Sequence, residues 1–157
     1  MKAVKTNVMR LLEANKIAYK SYDYSNNETT NGEEVAKVLN QNPNQVFKTL
    51  VTIGKTNEHY VFMIPVNKEL DLKKAAKAAD EKFIEMVKNK DLLGLTGYIH
   101  GGCSPIGMKK HFKTFIDSSS SNFETIIFSA GKIGYQVEIK LSDLINTFKV
   151  VSYDLIS

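Results

Sequence analysis

One cysteine, one arginine, three prolines and no tryptophan occur in 157 residues. A lone cysteine, Cys103, cannot close an internal disulfide, and the expectation is a reducing, cytoplasmic setting. The stretch from Met1 to Thr6 has no apolar core of signal-peptide length, and a charge interrupts every later apolar run. The sequence therefore predicts neither a secretory signal nor a membrane span. Repeats and low-complexity tracts are missing too, and the run Ser118–Ser121 is too short to be a linker. The scarcity of arginine bears on partners. Of 21 basic residues 20 are lysine, against 17 acids, for a net charge of +4. Lysine is a flexible point charge that neutralises phosphate but lacks the planar fork that reads base edges. Any nucleic-acid contact is thus expected to use backbone and shape.

With 43% apolar and 24% charged residues the composition is globular. A chain of this length is read as one domain spanning residues 1–157, able to fold without a metal or disulfide. Apolar residues at helical spacing after Thr6 predict a first helix that runs to Asn15, and alternation over residues 17–24 predicts a strand. A polar turn over 26–32 leads to a short helix over 33–39. The centre reads as a hairpin of residues 46–53 and 59–66 about a turn at 54–58. Asp71 is placed to cap a helix over Leu72–Ala79. A strand over 83–87 and a helical turn over 90–93 follow. Beyond a glycine-rich region come strands over 113–116, Thr125–Ser129 and 135–139, a helix over 142–146 and a strand over 149–153. Strands and helices without regular alternation predict an α+β fold, with a mixed, curved, barrel-like sheet core and surrounding short helices.

Several motifs fail on their chemistry. Gly102-Cys103-Ser104-Pro105-Ile106-Gly107-Met108-Lys109 has Met108 where a P-loop needs its lysine, so it does not predict a nucleotide phosphate cradle. Gly131-Lys132-Ile133-Gly134 matches the loop of RNA-clamping KH domains, but a strand pattern follows it, and the reading is a hairpin turn. Cys103 with His100 or His111 as base would make a nucleophilic pair, and the three together a zinc set. No spacing rule supports either, so Cys103 is taken as a packing residue and no metal or cofactor is expected. There is no G-x-S-x-G and no evident carboxylate pair.

Lys48 is different, because it interrupts a run of strand formers, Val46-Phe47-Lys48-Thr49-Leu50-Val51. Such a lysine either snorkels to solvent or meets an anion in a pocket. Gly101-Gly102 is raw material for the second role, since adjacent glycines let backbone N–H groups approach a ligand closely.

Four ordered stretches, Val46-Phe47-Lys48-Thr49-Leu50, Leu72-Lys73-Lys74-Ala75-Ala76-Lys77, Thr96-Gly97-Tyr98 with Gly101-Gly102-Cys103-Ser104-Pro105-Ile106-Gly107, and Ser129-Ala130-Gly131-Lys132-Ile133-Gly134 with Val137-Glu138-Ile139, carry a resemblance over residues 8–151. On them the chain resembles the YbaK/EbsC family of aminoacyl-tRNA deacylases, relatives of the editing domain of bacterial prolyl-tRNA synthetases. The resemblance implies removal of a wrong amino acid, chiefly cysteine, from the CCA end of misacylated tRNA(Pro), beside prolyl-tRNA synthetase and without a metal. It implies catalytic roles for Lys48 and Gly101, and a substrate pocket including Tyr22, Thr49, Gly102, Ser129 and Gln136. It also implies that the substrate's own thiol is the nucleophile. A deacylase for alanine or a non-protein amino acid, and a non-catalytic tRNA- or synthetase-binding module, are the alternatives. The chain departs from the family pattern at Ile133, where arginine is usual, and at Asn31, where an aromatic often lies. Gln136 occupies a variable polar position.

Overall fold

The computed structural model describes residues 4–157. In chain order these form α1 (Asn7–Ala14), β1 (Lys20–Asp23), α2 (Gly32–Val38), β2 (Phe47–Gly54), β3 (His59–Pro65), α3 (Leu72–Ala79) and β4 (Ile84–Met86). Then come α4 (Asn89–Thr96), β5 (Lys113–Asp117), β6 (Thr125–Ser129), β7 (Tyr135–Lys140), α5 (Leu141–Phe148) and β8 (Val151–Tyr153). The fold is α+β.

The strands divide into an antiparallel sheet in the order β1-β7-β6 and a five-stranded mixed sheet in the order β4-β2-β3-β5-β8. In the second, β4, β2 and β3 run antiparallel, while β5 is parallel to β3 and β8 parallel to β5. One parallel bridge, Val46 to Ile127, ties the sheets together, and the Ile127 N–H donates to the Gln45 carbonyl at 3.1 Å. The barrel-like core of the sequence reading is this pair of sheets hinged at one bridge.

The main core fills the space between them. Phe47, Met63 and Ile116 face Ile126, Phe128, Val137 and Ile139, with Val8, Met9 and Leu12 of α1 and Leu144 of α5 completing it. Thr6 fixes the start of α1, its hydroxyl accepting from the Met9 N–H at 3.3 Å. The opposite face of the five-stranded sheet carries Phe62, Ile64 and Phe115, covered by Ala75, Ala76 and Ala79. Those alanines let α3 lie close to the sheet, and Asp71 caps it by accepting from the Lys73 and Lys74 N–H groups. Central strand β3 is consequently buried on both faces.

The expected elements are present, with shifted ends. The helical turn at 90–93 is the full helix α4, which passes through Gly94, where a side chain would meet only open space, and stops at left-handed Gly97 (φ 84°). β1 starts at Lys20, because Lys16 turns left-handed (φ 58°) and the Ile17 N–H returns to the Leu12 carbonyl. β8 starts late for a related reason: Lys149 is the left-handed cap of α5. Ser118–Asn122 forms a 3₁₀ turn, begun by Asp117 accepting from the Ser119 N–H. Gly131 to Gly134 is the predicted hairpin turn, with positive φ at both glycines.

Candidate active site

β2 pairs with β3 along its length, from Phe47 to Ile53, but its other edge is shared out unevenly. β4 covers Thr52–Gly54, with the Val87 N–H reaching the Val51 carbonyl at 3.1 Å, and the link to β6 ends at Val46. Residues 47–50 are left with an open edge where the two sheets diverge. A cavity of about 410 Å³ lies there, walled by β2, the Phe128–Ser129 end of β6, Gln136 of β7, the start of α2, and the loop bearing Gly101 and Cys103. This volume is in the range of small-molecule sites.

Because the cavity sits at a strand edge, residues from both faces of β2 reach it. Lys48 and Thr49, neighbours pointing to opposite faces, both line it. Lys48 is half-buried, and among the described residues its ammonium has neither an ion pair nor a hydrogen bond. The Thr49 hydroxyl oxygen is buried without a partner. Buried polar atoms are rarely left so. A cation and a hydroxyl, both uncommitted, thus face one polar cleft.

Gly101 lines the cavity at φ 89°, a backbone setting that favours glycine. Gly102, between Gly101 and Cys103, turns its N–H into the loop, donating to the Ile99 carbonyl at 3.0 Å. A Cβ built there would lie 3.2 Å from the Ile133 backbone nitrogen, so this glycine lets two loops pack. Ile133 covers the glycine pair with an apolar side chain. Ser129 lines the cavity, its oxygen accepting from the Gly131 N–H at 3.1 Å while its O–H remains free to donate. Buried Gln136 lines it too, with its carboxamide oxygen held by the Gln41 side chain at 2.8 Å.

Tyr22 pairs with Gln136 in the β1–β7 ladder but turns its ring elsewhere. It is absent from the cavity wall and packs against Ala36, Val46, Val66 and Ile127. Its hydroxyl donates to Glu138, a bond that together with burial pushes its pKa up to about 12. Glu138 also accepts from the Thr125 hydroxyl. Tyr24, two residues further along the same face and just past the end of β1, lines the cavity instead. The sequence reading also passed over Glu33 and Gln41. The signal for Glu33 was available in Asn31, which caps α2 by accepting from the Glu33 and Glu34 N–H groups at 3.0 and 3.3 Å, and so turns the helix start toward the cleft. Asn31, a departure from the pattern the sequence resembles, thus serves as a helix cap.

Cys103 forms part of the wall beside Val51, Val61 and Leu92. Burial pushes its thiol up to about 12, against a smaller opposing hydrogen bond from Thr96. His100 shares the cavity but makes no hydrogen bond to Cys103 among the described residues, and His111 lines a different cavity. Among the described residues, no cysteine here is paired with a positioned base.

Residues 26–147 match the family described as the aminoacyl-tRNA editing domain. A protein of Enterococcus faecalis (strain ATCC 700802 / V583), named "Putative Cys-tRNA(Pro)/Cys-tRNA(Cys) deacylase EbsC", is 48% identical over 136 residues, covering 86% of this chain and 83% of its own. Among solved structures, "Crystal structure of a putative trans-editing enzyme for prolyl tRNA synthetase" superposes with a TM-score of 0.82 at 19% identity, over 99% of both chains. "Crystal structure of hypothetical protein APE2540" gives 0.87 at 19% identity, over 96% of this chain and 99% of that one. These two likenesses are of fold. The match over 26–147 and the 48% identity go further, and by them this chain belongs to the aminoacyl-tRNA editing-domain family.

Proposed function

We propose that this chain is a cytoplasmic trans-editing enzyme that removes cysteine from misacylated tRNA(Pro), working beside prolyl-tRNA synthetase. The observation that carries this reading is the uncommitted Lys48 ammonium and buried Thr49 hydroxyl at the open edge of β2, opposite Gly101. The sequence identity to the Enterococcus protein supports the substrate.

The chemistry follows from what the cleft contains. The aminoacyl ester enters with its carbonyl near Gly101 and Lys48. The substrate's sulfur attacks the carbonyl carbon, the carbon–oxygen bond to the ribose breaks, and the thiol proton ends on the ribose oxygen. The products are tRNA with a free terminal hydroxyl and a four-membered thiolactone. Ring strain opposes this step, but a sulfur held about 3–3.5 Å from its carbonyl gains the effective concentration of an intramolecular reaction. Lys48 supplies positive charge where negative charge develops on oxygen, an effect worth about 2.7–4 kcal/mol for a well-placed donor. Ser129 and Thr49 are hydroxyl donors for the amino acid or the terminal ribose, and Gln136 is a neutral amide beside them. Cys103, holding its proton to about pH 12, is a poor rival nucleophile.

Deacylation of tRNA(Pro) charged with cysteine, serine or alanine tests the reading. Cysteine is expected to leave fastest. Serine, nearly the same shape with a far less ionised nucleophile, should bind comparably and react much more slowly, and alanine should be spared most. Equal cleavage of all three would replace the substrate thiol by an activated water.

A further inference from the structure

A second cavity, of about 210 Å³, is bordered by the continuation of the loop that carries Gly101 and Cys103. The same segment serves both: Gly101 and Cys103 face the first cavity, and residues 105–108 and 110–112 face the second. The loop between them is well held. The Tyr98 hydroxyl donates to the Ile106 carbonyl, and the Lys109 N–H donates to the Thr96 carbonyl at 3.0 Å. Cys103 and Pro105 are two residues apart, so the two walls are separated by no more than roughly 7 Å of chain.

The lining has one sign of charge. Its charged residues are Lys110 and Lys149, both exposed, and among the described residues no aspartate or glutamate lines it. Neither lysine has an ion pair among the described residues. Phe112 and Phe148, both half-buried, are the aromatic residues of the same wall. The backbone of Lys149 is the left-handed cap that ends α5. Like charges gathered around a concave surface, without a counter-charge, create a potential that favours an anion. Cations beside aromatic faces are the elements with which proteins hold single-stranded nucleic acid.

We propose that this second cavity binds a phosphodiester of the RNA strand whose 3′ end occupies the first cavity, with the adjoining base or ribose against Phe112 or Phe148. The proposal rests on the editing function argued above. It adds a second anchor, one that recognises backbone charge rather than sequence, as lysine-based contacts do. The loop between the cavities would then sense both the reacting ester and the strand leading to it.

The test is binding of an uncharged RNA hairpin ending in CCA to the full chain, followed by fluorescence anisotropy between about 50 and 200 mM salt. The double variant Lys110→Ala/Lys149→Ala is expected to bind roughly tenfold more weakly at low salt, with the log–log salt slope reduced by about 0.7, as for one phosphate of a single strand. Lys110→Arg/Lys149→Arg should restore the slope. Cleavage of cysteinyl-adenosine, too short to reach the second cavity, should be the same in wild type and variant. An unchanged affinity and slope in the alanine variant would overturn the proposal, as would a wild type without RNA affinity. Displacement of the RNA by equimolar inorganic phosphate would overturn it too, in favour of a free-anion site. RNA binding that depends on both lysines, in a protein that cleaves no aminoacyl ester, would instead sink the editing function and leave the second site standing.

Discussion

Within β2, Thr52 and Ile53 hold β3 on one edge and β4 on the other, whereas residues 47–50 hold β3 alone. The doubly paired half spends its polar groups inside the fold: the Thr52 hydroxyl donates to the Tyr60 carbonyl at 2.9 Å. The singly paired half leaves Lys48 and the Thr49 hydroxyl without partners among the described residues. A strand edge not covered by another strand is ordinarily a liability. Here the α2 start and the Gly101 loop shelter it, which turns it into a cleft.

The sharpest way to break this comparison is at neighbours in the open half. Phe47 is buried in the main core, so Phe47→Ala should lower stability by about 3–5 kcal/mol, read in a denaturant titration. Lys48→Ala should leave that titration where it was, because no cavity forms and no partner is orphaned. Its deacylation rate should nevertheless fall at least about a hundredfold. A Lys48→Ala protein with wild-type turnover would remove the cleft's claim to be the active site.

A subtler contrast uses one substitution at two places. Thr52→Val deletes a satisfied hydrogen bond and should cost about 1 kcal/mol without changing turnover. Thr49→Val deletes a hydroxyl that has no partner in the free protein, so stability should hold or rise slightly. Its deacylation, in contrast, should weaken, chiefly through KM. Matching stability losses for the two valines would mean that Thr49 is bonded after all, and that the open edge is not open.

These contrasts mark how far the sequence could be read. The β2–β3 hairpin was legible because dense β-formers flank a turn at Gly54, and α3 because Asp71 precedes a run of small helix formers. Lys48 stood out as a cation among strand residues, and the resemblance gave it a role. What stayed hidden depended on non-local pairing. Nothing in Gly101-Gly102 tells which N–H is already spent, since Gly102 donates within its own loop. Tyr22 and Tyr24 share a face, and only the end of β1 and the position of Glu138 decide that the second, not the first, borders the cleft. The gap in β2 pairing was likewise invisible, because it comes from β4 being three residues long.

The smallest effect is expected at Cys103, which tests whether the cleft lacks a protein nucleophile. Its thiol sits in the wall with a pKa raised from 9.0 to about 12, chiefly by burial. Alkylation of the folded protein near neutral pH should therefore be slow, and should not track loss of activity. Cys103→Ser is nearly isosteric and should keep most of the deacylation rate. The same shift carries a stability signature whose sign is fixed. Between about pH 9 and 12 the folded chain keeps the thiol proton while the unfolded chain gives it up, so stability present below pH 9 is lost as pH rises through that window. Tyr22 and Tyr60, raised from 10.0 to about 12, push in the same direction. Alkaline denaturation should consequently be less steep in Cys103→Ser, which lacks one of these protons, though not abolished. A folded but inactive Cys103→Ser protein would return the nucleophile to the enzyme, and with it the need for His100 to move within reach of the sulfur.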